Sequence, residues 1–161
     1  MTKARRTATE TVKMATAQRN LWLPVGASLV LYVVSFALPV FVCKDGTVFI
    51  GLMLFLWGPV GVASACPAWL ANPLLFLTLS LMVRRKFPSS LISACLTLAV
   101  ALTSFFVKSL YTGPNMSDIT HYGPGLYVWL SACTIPLLAI CLQWAKPFSE
   151  TALPIVPFKD T

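Results

Sequence analysis

Charge is scarce in this chain and confined to a few places. Of 161 residues, 12 are Lys or Arg, five are Asp or Glu and one is His. Over the 125 residues from Leu21 to Ala145 the charged side chains are Lys44, Asp45, Arg84, Arg85, Lys86, Lys108 and Asp118, each in a short break between apolar runs. A single Asp, Lys or Arg at the centre of a bilayer costs about 2.5–3.5 kcal/mol on insertion scales. The distribution is therefore that of a chain dissolved in lipid. The same scarcity removes the usual marks of catalysis and transport. There is no intramembrane ionisable group to relay protons, no paired carboxylate, no Ser/His/acid order and no phosphate-binding Gly loop. Asp118 and His121 offer two ligands where zinc takes three or four, so they read as parts of a solvated loop. No metal, cofactor or enzymatic activity is expected.

Cysteine is present but unpatterned. Residues 43, 66, 95, 133 and 141 form no C-x-x-C pair, which argues against a disulfide framework or a structural zinc site. Cys43 and Cys66 both map to the expected outer side, where a disulfide is chemically permitted; the other three read as small core residues. No internal repeat suggests the inverted halves of a transporter. A small-residue cleavage site is also missing after the first apolar run, so that run reads as a retained signal anchor.

What is there is hydrophobic, 57% of the chain, enough for a single domain whose solvent is mostly lipid. The net charge of +7 does not point to nucleic acid. Lys3, Arg5, Arg6, Lys13 and Arg19 lie in the first 20 residues and Arg84, Arg85 and Lys86 form one turn, so both clusters flank apolar runs and contact an anionic inner leaflet. Residues 1–20 read as a basic cytoplasmic arm, and 21–145 as a transmembrane bundle.

The first span is expected over 21–42, about 33 Å of helix against a bilayer core of about 30 Å. Asp45-Gly46 signals a tight turn. The following run, 48–83, would be about 54 Å long as one helix. Short basic loops stay cytoplasmic, so an odd number of crossings must precede Arg84 once the chain has led out. That predicts one span at 66–83 and a short re-entrant or interfacial helix over 48–65, broken by Pro59, Pro67 and three glycines. A third span follows over 88–106 and a fourth over 124–145, with Pro136 kinking it. Residues 146–161 form a cytoplasmic tail. Tyr111, Tyr122, Tyr127 and Trp129 are expected to form an outer aromatic belt, with Trp22 and Trp144 at the inner interface. Asn115-Met-Ser117 is a glycosylation sequon, meaningful only on a eukaryotic secretory route. The fold class is thus all-α: a polytopic transmembrane helix bundle of four spans plus the short helix, both termini cytoplasmic.

Two features suggest contacts within the membrane. Ser90, Ser93, Thr97, Ala101 and Ser104 share one face of the third span, where small residues let helices approach and hydroxyls bond across. Asn72 and Pro73 place an amide within the second span and free the carbonyl of Trp69, a kink to be satisfied by neighbouring helices or a partner.

Ala71-Asn72-Pro73-Leu74-Leu75 and Gly123-Pro-Gly-Leu-Tyr-Val-Trp-Leu130 resemble segments of small, uncharacterised four-span bacterial membrane proteins. The resemblance covers the middle two-thirds of the chain and implies a cell inner membrane location, with no activity attached. The function expected is a non-enzymatic accessory or interaction subunit of the cell envelope, meeting a membrane-protein partner or a second copy of itself. The alternative is a small oligomeric channel or facilitator lined by the Ser and Thr hydroxyls.

Overall fold

The computed structural model describes residues 22–63, 67–111 and 116–145. The arm 1–20, the tail 146–161, Cys66 and Asn115 lie outside the described residues. The chain is mostly helical. Helix α1, Trp22–Ala37, carries Pro24 in its first turn, where no helical N–H is needed. It stops where Leu38 precedes a proline, a position that disfavours helical backbone.

The expected helix over 21–42 is corrected here. Pro39–Cys43 is strand β1 and Val48–Ile50 is strand β2, because Val40-Phe41-Val42 is β-branched and aromatic and follows that break. Gly46, at φ +85°, makes the turn between them. The Asp45 carboxylate accepts from the Thr47 N–H at 2.9 Å, and Cys43 N–H donates to the Thr47 carbonyl at 2.9 Å.

The all-α expectation needs a second correction. The polar connection from Lys108 to Gly123, expected to lie outside, contains strands β3, Ser109–Tyr111, and β4, Met116–Tyr122. The four strands form one antiparallel sheet in the order β2-β1-β4-β3. Phe41 stands opposite both Phe49 and Tyr122, and Ser109 stands opposite Asp118. One face of the sheet covers a small core of Val40, Phe41 and Leu126. The sheet thus joins the connection after α1 to the connection before α5.

Helix α2, Gly51–Ala63, follows β2 without a loop. Gly51 is required at that junction, since a Cβ there would collide with the Ser35 carbonyl. A 3-10 turn, Pro67–Leu70, leads into α3, Ala71–Val83. Pro73 therefore falls in the first turn of α3.

Helix α3 turns into α4, Phe87–Leu102, through Arg84-Arg85-Lys86. Lys86 N–H donates to Leu81 O and Arg85 N–H to Met82 O, both at 3.0 Å, with Arg85 at φ 56°. This is a Schellman stop with arginine where glycine is usual. A 3-10 turn, Thr103–Phe106, extends α4, and α5 runs from Pro124 to Ala145 through Pro136.

Successive long helices alternate in direction, with the sheet at one end and the basic turn at the other. Two helical stretches, Phe87–Phe106 and Pro124–Trp144, are long and apolar enough to cross a membrane, while Trp22–Ala37 and Pro67–Val83 are apolar and shorter. The exterior is apolar as well as the core, and several hydroxyls are inside. Ser28, Thr78 and Ser90 are fully buried, whereas Phe106 is 80% exposed, Leu56 67% and Trp57 68%. Ala71, Ala94, Ala101 and Ala132 sit at the centre with Leu75, Met82 and Ile140, small residues where backbones come close.

Candidate functional site

The hydroxyl face expected on the third span is buried against α3. Ser90, Ser93, Thr97 and Ser104 are all inside. Thr78 of α3 is the partner: its Oγ1 lies 2.8 Å from Ser93 Oγ, 3.3 Å from Thr97 Oγ1 and 2.8 Å from the Leu74 carbonyl. Thr97 donates to the Ser93 carbonyl at 2.8 Å and Ser90 to the Phe87 carbonyl at 2.9 Å. A hydroxyl has one proton, so Thr78 donates to one acceptor and accepts from another. The seam is closed on itself, and its oxygens have protein partners where a water pathway would need them facing a lumen. Ser104 differs, for among the described residues its buried hydroxyl has no hydrogen-bond partner.

Asn72 is buried, and its Oδ1 accepts the indole N–H of Trp129 on α5 at 3.0 Å. Pro73 beside it is exposed. Trp129, expected in the aromatic belt, instead turns inward to this bond. Tyr122, Tyr127, Trp22 and Trp144 are exposed, and Tyr122 donates its phenol proton to the Phe105 carbonyl at 3.0 Å; the Tyr111 side chain lies outside the described residues. On α1, Ser28 donates to the Ala132 carbonyl of α5 at 2.7 Å. These contacts join α1, α3, α4 and α5 through the interior.

Thr78 and Ser28 were missed from sequence. A hydroxyl within an apolar run gives no sign of which neighbour it faces. Pro136 did signal that the Ala132 carbonyl needed a donor, but not which residue would supply it.

Asp118 and His121 are exposed on β4. The register of β4 on β1 shifts between Ile119 and His121, so regular alternation does not separate the two side chains; the pair still offers only two ligands where zinc takes three or four. Among the described residues no group of three or more His, Cys, Asp or Glu comes together. Cys43 is a buried free thiol, and Cys66, its candidate disulfide partner, lies outside the described residues. Burial pushes the Cys43 thiol up from its ordinary value, and the Asp45 carboxylate adds to the rise. A protonated, enclosed thiol is a poor nucleophile.

Helix α2 carries the most exposed apolar surface near the sheet. Leu52, Met53, Leu56 and Trp57 form one outward arc. Its other side is clamped. Gly58 rests directly on the Trp69 ring, Trp69 donates its indole N–H to the Phe55 carbonyl at 3.0 Å, and the Phe55 and Phe36 rings stand 5.3 Å apart. At 13 residues, α2 is about 20 Å long and too short to cross a bilayer. Compared with family models, with curated proteins and with solved structures, the chain gives no match.

Proposed function

We propose that this chain is a four-span integral membrane protein acting as a non-enzymatic interaction subunit of the cell envelope, with α2 and the sheet on the outer side and both termini in the cytoplasm. The apolar exterior carries the membrane assignment: large apolar side chains face out along every helix, while hydroxyls such as Ser28 and Thr78 are inside. The basic turn supports the orientation. Arg85 occupies a left-handed conformation that costs a non-glycine residue about 1 kcal/mol or more, which is tolerable where a positive charge is needed to hold a short loop inside. The shorter helices α1 and Pro67–Val83 complete their crossings with flanking turns and local thinning of the bilayer. A bacterial inner membrane follows from the resemblance of the 71–75 and 123–130 segments.

The interaction role rests on α2. A helix clamped on one side by Gly58 and Trp69 yet bare on the other presents a fixed apolar ridge at the outer interface, suited to a transmembrane helix of another subunit. The closed hydroxyl seam favours packing over a pore through a single copy. A photo-crosslinking amino acid placed at Trp57 in intact membranes tests the reading. One stoichiometric polypeptide partner supports it; adducts only to a second copy favour the oligomeric facilitator, and adducts only to lipid overturn the role. Asp118→Cys should react with an impermeant thiol reagent from outside, and Lys86→Cys only after permeabilisation; the reverse pattern overturns the orientation.

A further inference from the structure

A groove of about 430 Å3 opens between α1 and α3 at the end of the bundle that carries the basic turn. Val25 and Leu29 wall one side and Phe76 and Val83 the other, with Trp22 and Arg84 at its mouth. The wall is apolar in effect, because the one hydroxyl in it, Ser80, donates to the Phe76 carbonyl at 2.8 Å. α1 is tied to α5 by Ser28 and meets α3 through the edge contact of Tyr32 with Phe76, centroids 5.4 Å apart. Below those contacts Val25 is buried in the core, while a Cβ on Gly26 would meet no atom within 4 Å.

From Trp22 to Leu29 and from Arg84 to Phe76 the groove runs about 10–12 Å along the helix axes. That is most of the depth of one leaflet, about 15 Å. Charge decides what fills it. Arg84 is exposed at the mouth, and the two carboxylates among the described residues, Asp45 and Asp118, are both at the opposite, sheet end. An apolar slot of leaflet depth ending in a guanidinium is complementary to an acyl chain ending in a phosphate.

We infer that this groove binds one acidic phospholipid of the inner leaflet, its acyl chain between α1 and α3 and its phosphate on Arg84. The inference rests on the membrane assignment above. Trp22 flanks the headgroup as an interfacial aromatic, and the bound lipid fills the groove between Leu29 and Phe76.

Native mass spectrometry of the full chain in mild detergent, with equimolar phosphatidylglycerol and phosphatidylcholine, tests the site. One phosphatidylglycerol per chain should be retained, with a preference of about fivefold or more, the worth of one headgroup-facing cation. Arg84→Gln, an exposed change that leaves the bundle intact, should bring the two lipids to parity. Leu29→Trp, which fills the slot, should release both. Equal retention of the two lipids by the unaltered chain, or a preference that survives Arg84→Gln, overturns the site. Alkaline extraction of the source membranes separates this result from the underlying assignment. A chain released to the supernatant removes the membrane reading and the site together; a chain that pellets without lipid preference removes only the site.

Discussion

Ser28 donates its hydroxyl proton to the carbonyl of Ala132 at 2.7 Å, across 104 residues of sequence, and that carbonyl is the one Pro136 leaves without a helical donor. Proline has no N–H, so the oxygen four residues earlier loses its partner. In a bilayer no water replaces it. The bond therefore fastens α1 to α5 at the one turn where the ladder of α5 is open.

Removing that donor should cost little when the ladder is whole and more when it is not. Ser28→Ala is expected to destabilise the chain by about 1 kcal/mol, within the ~0.6–1.7 range of intramembrane hydrogen bonds. Pro136→Ala returns an N–H to α5, and in that background the cost of Ser28→Ala should fall toward zero. Unfolding of the full chain by SDS titration, run as a double-mutant cycle, reads the coupling. Equal costs in both backgrounds would show that Ser28 acts by packing alone.

The bond illustrates what the sequence made visible and what it did not. Local signals were legible: Asp45-Gly46 marked the hairpin turn, Arg84-Arg85-Lys86 marked the α3–α4 turn, and the 3- and 4-residue spacing of Ser90, Ser93 and Thr97 marked a buried face. The sheet was not legible. Its central pairing joins Val42 to His121, and such a long-range partner leaves no trace in either segment alone. The run 21–42 has the length of a span, and length outweighed Pro39 and the β-branched residues after it. The strands 109–111 and 116–122 carry too few apolar residues to stand out from a loop: among the described side chains, Leu110 and Ile119 are the ones from these strands that pack toward the sheet core. The interior bonds are long-range in the same sense. Asn72 asked for a partner, and nothing in the sequence named Trp129.

That pair supplies a second expected outcome. Trp129→Phe keeps the ring and removes the donor, leaving the Asn72 amide oxygen buried without its partner, a loss of about 1–3 kcal/mol. Asn72→Leu removes the need as well as the bond, so adding it to Trp129→Phe should recover part of that loss. Thermal unfolding of the purified chain, followed by circular dichroism at 222 nm (the usual helix band), distinguishes this from additive damage. Additivity would mean that the 3.0 Å contact contributes nothing of its own.

The clamp on α2 can be opened without touching the bundle. A Cβ at residue 58 meets the Trp69 ring directly, so Gly58→Val should push α2 off the 3-10 turn at an overpacking cost of about 1–3 kcal/mol. The predicted signature is local: faster proteolysis between β2 and α3, with the core unfolding little changed. Trp69→Ala in the same chain makes room for the valine and should restore part of the protection. Unchanged cleavage in Gly58→Val would mean that α2 is not held by this contact.

Cys43 gives a pH dependence whose sign is fixed. Burial, with a smaller addition from Asp45, raises the thiol above its ordinary value of 9.0 in the folded chain. The folded state then holds the proton more tightly than the unfolded state does. Stability from this group is complete well below pH 9, where both states are protonated, and is lost as the pH climbs through the unfolded value toward the folded one, at no more than about 1.4 kcal/mol per pH unit. Lysines titrate nearby, so the quantity to follow is the stability of the unaltered chain minus that of Cys43→Ala. It should stay level near pH 7, begin to fall at about pH 8 and decline more steeply above about 9. Because burial is the larger cause, Asp45→Asn should leave most of that decline in place. A difference that stays level through pH 10 would place the thiol in contact with water and take away the enclosed position that β1 and β4 give it.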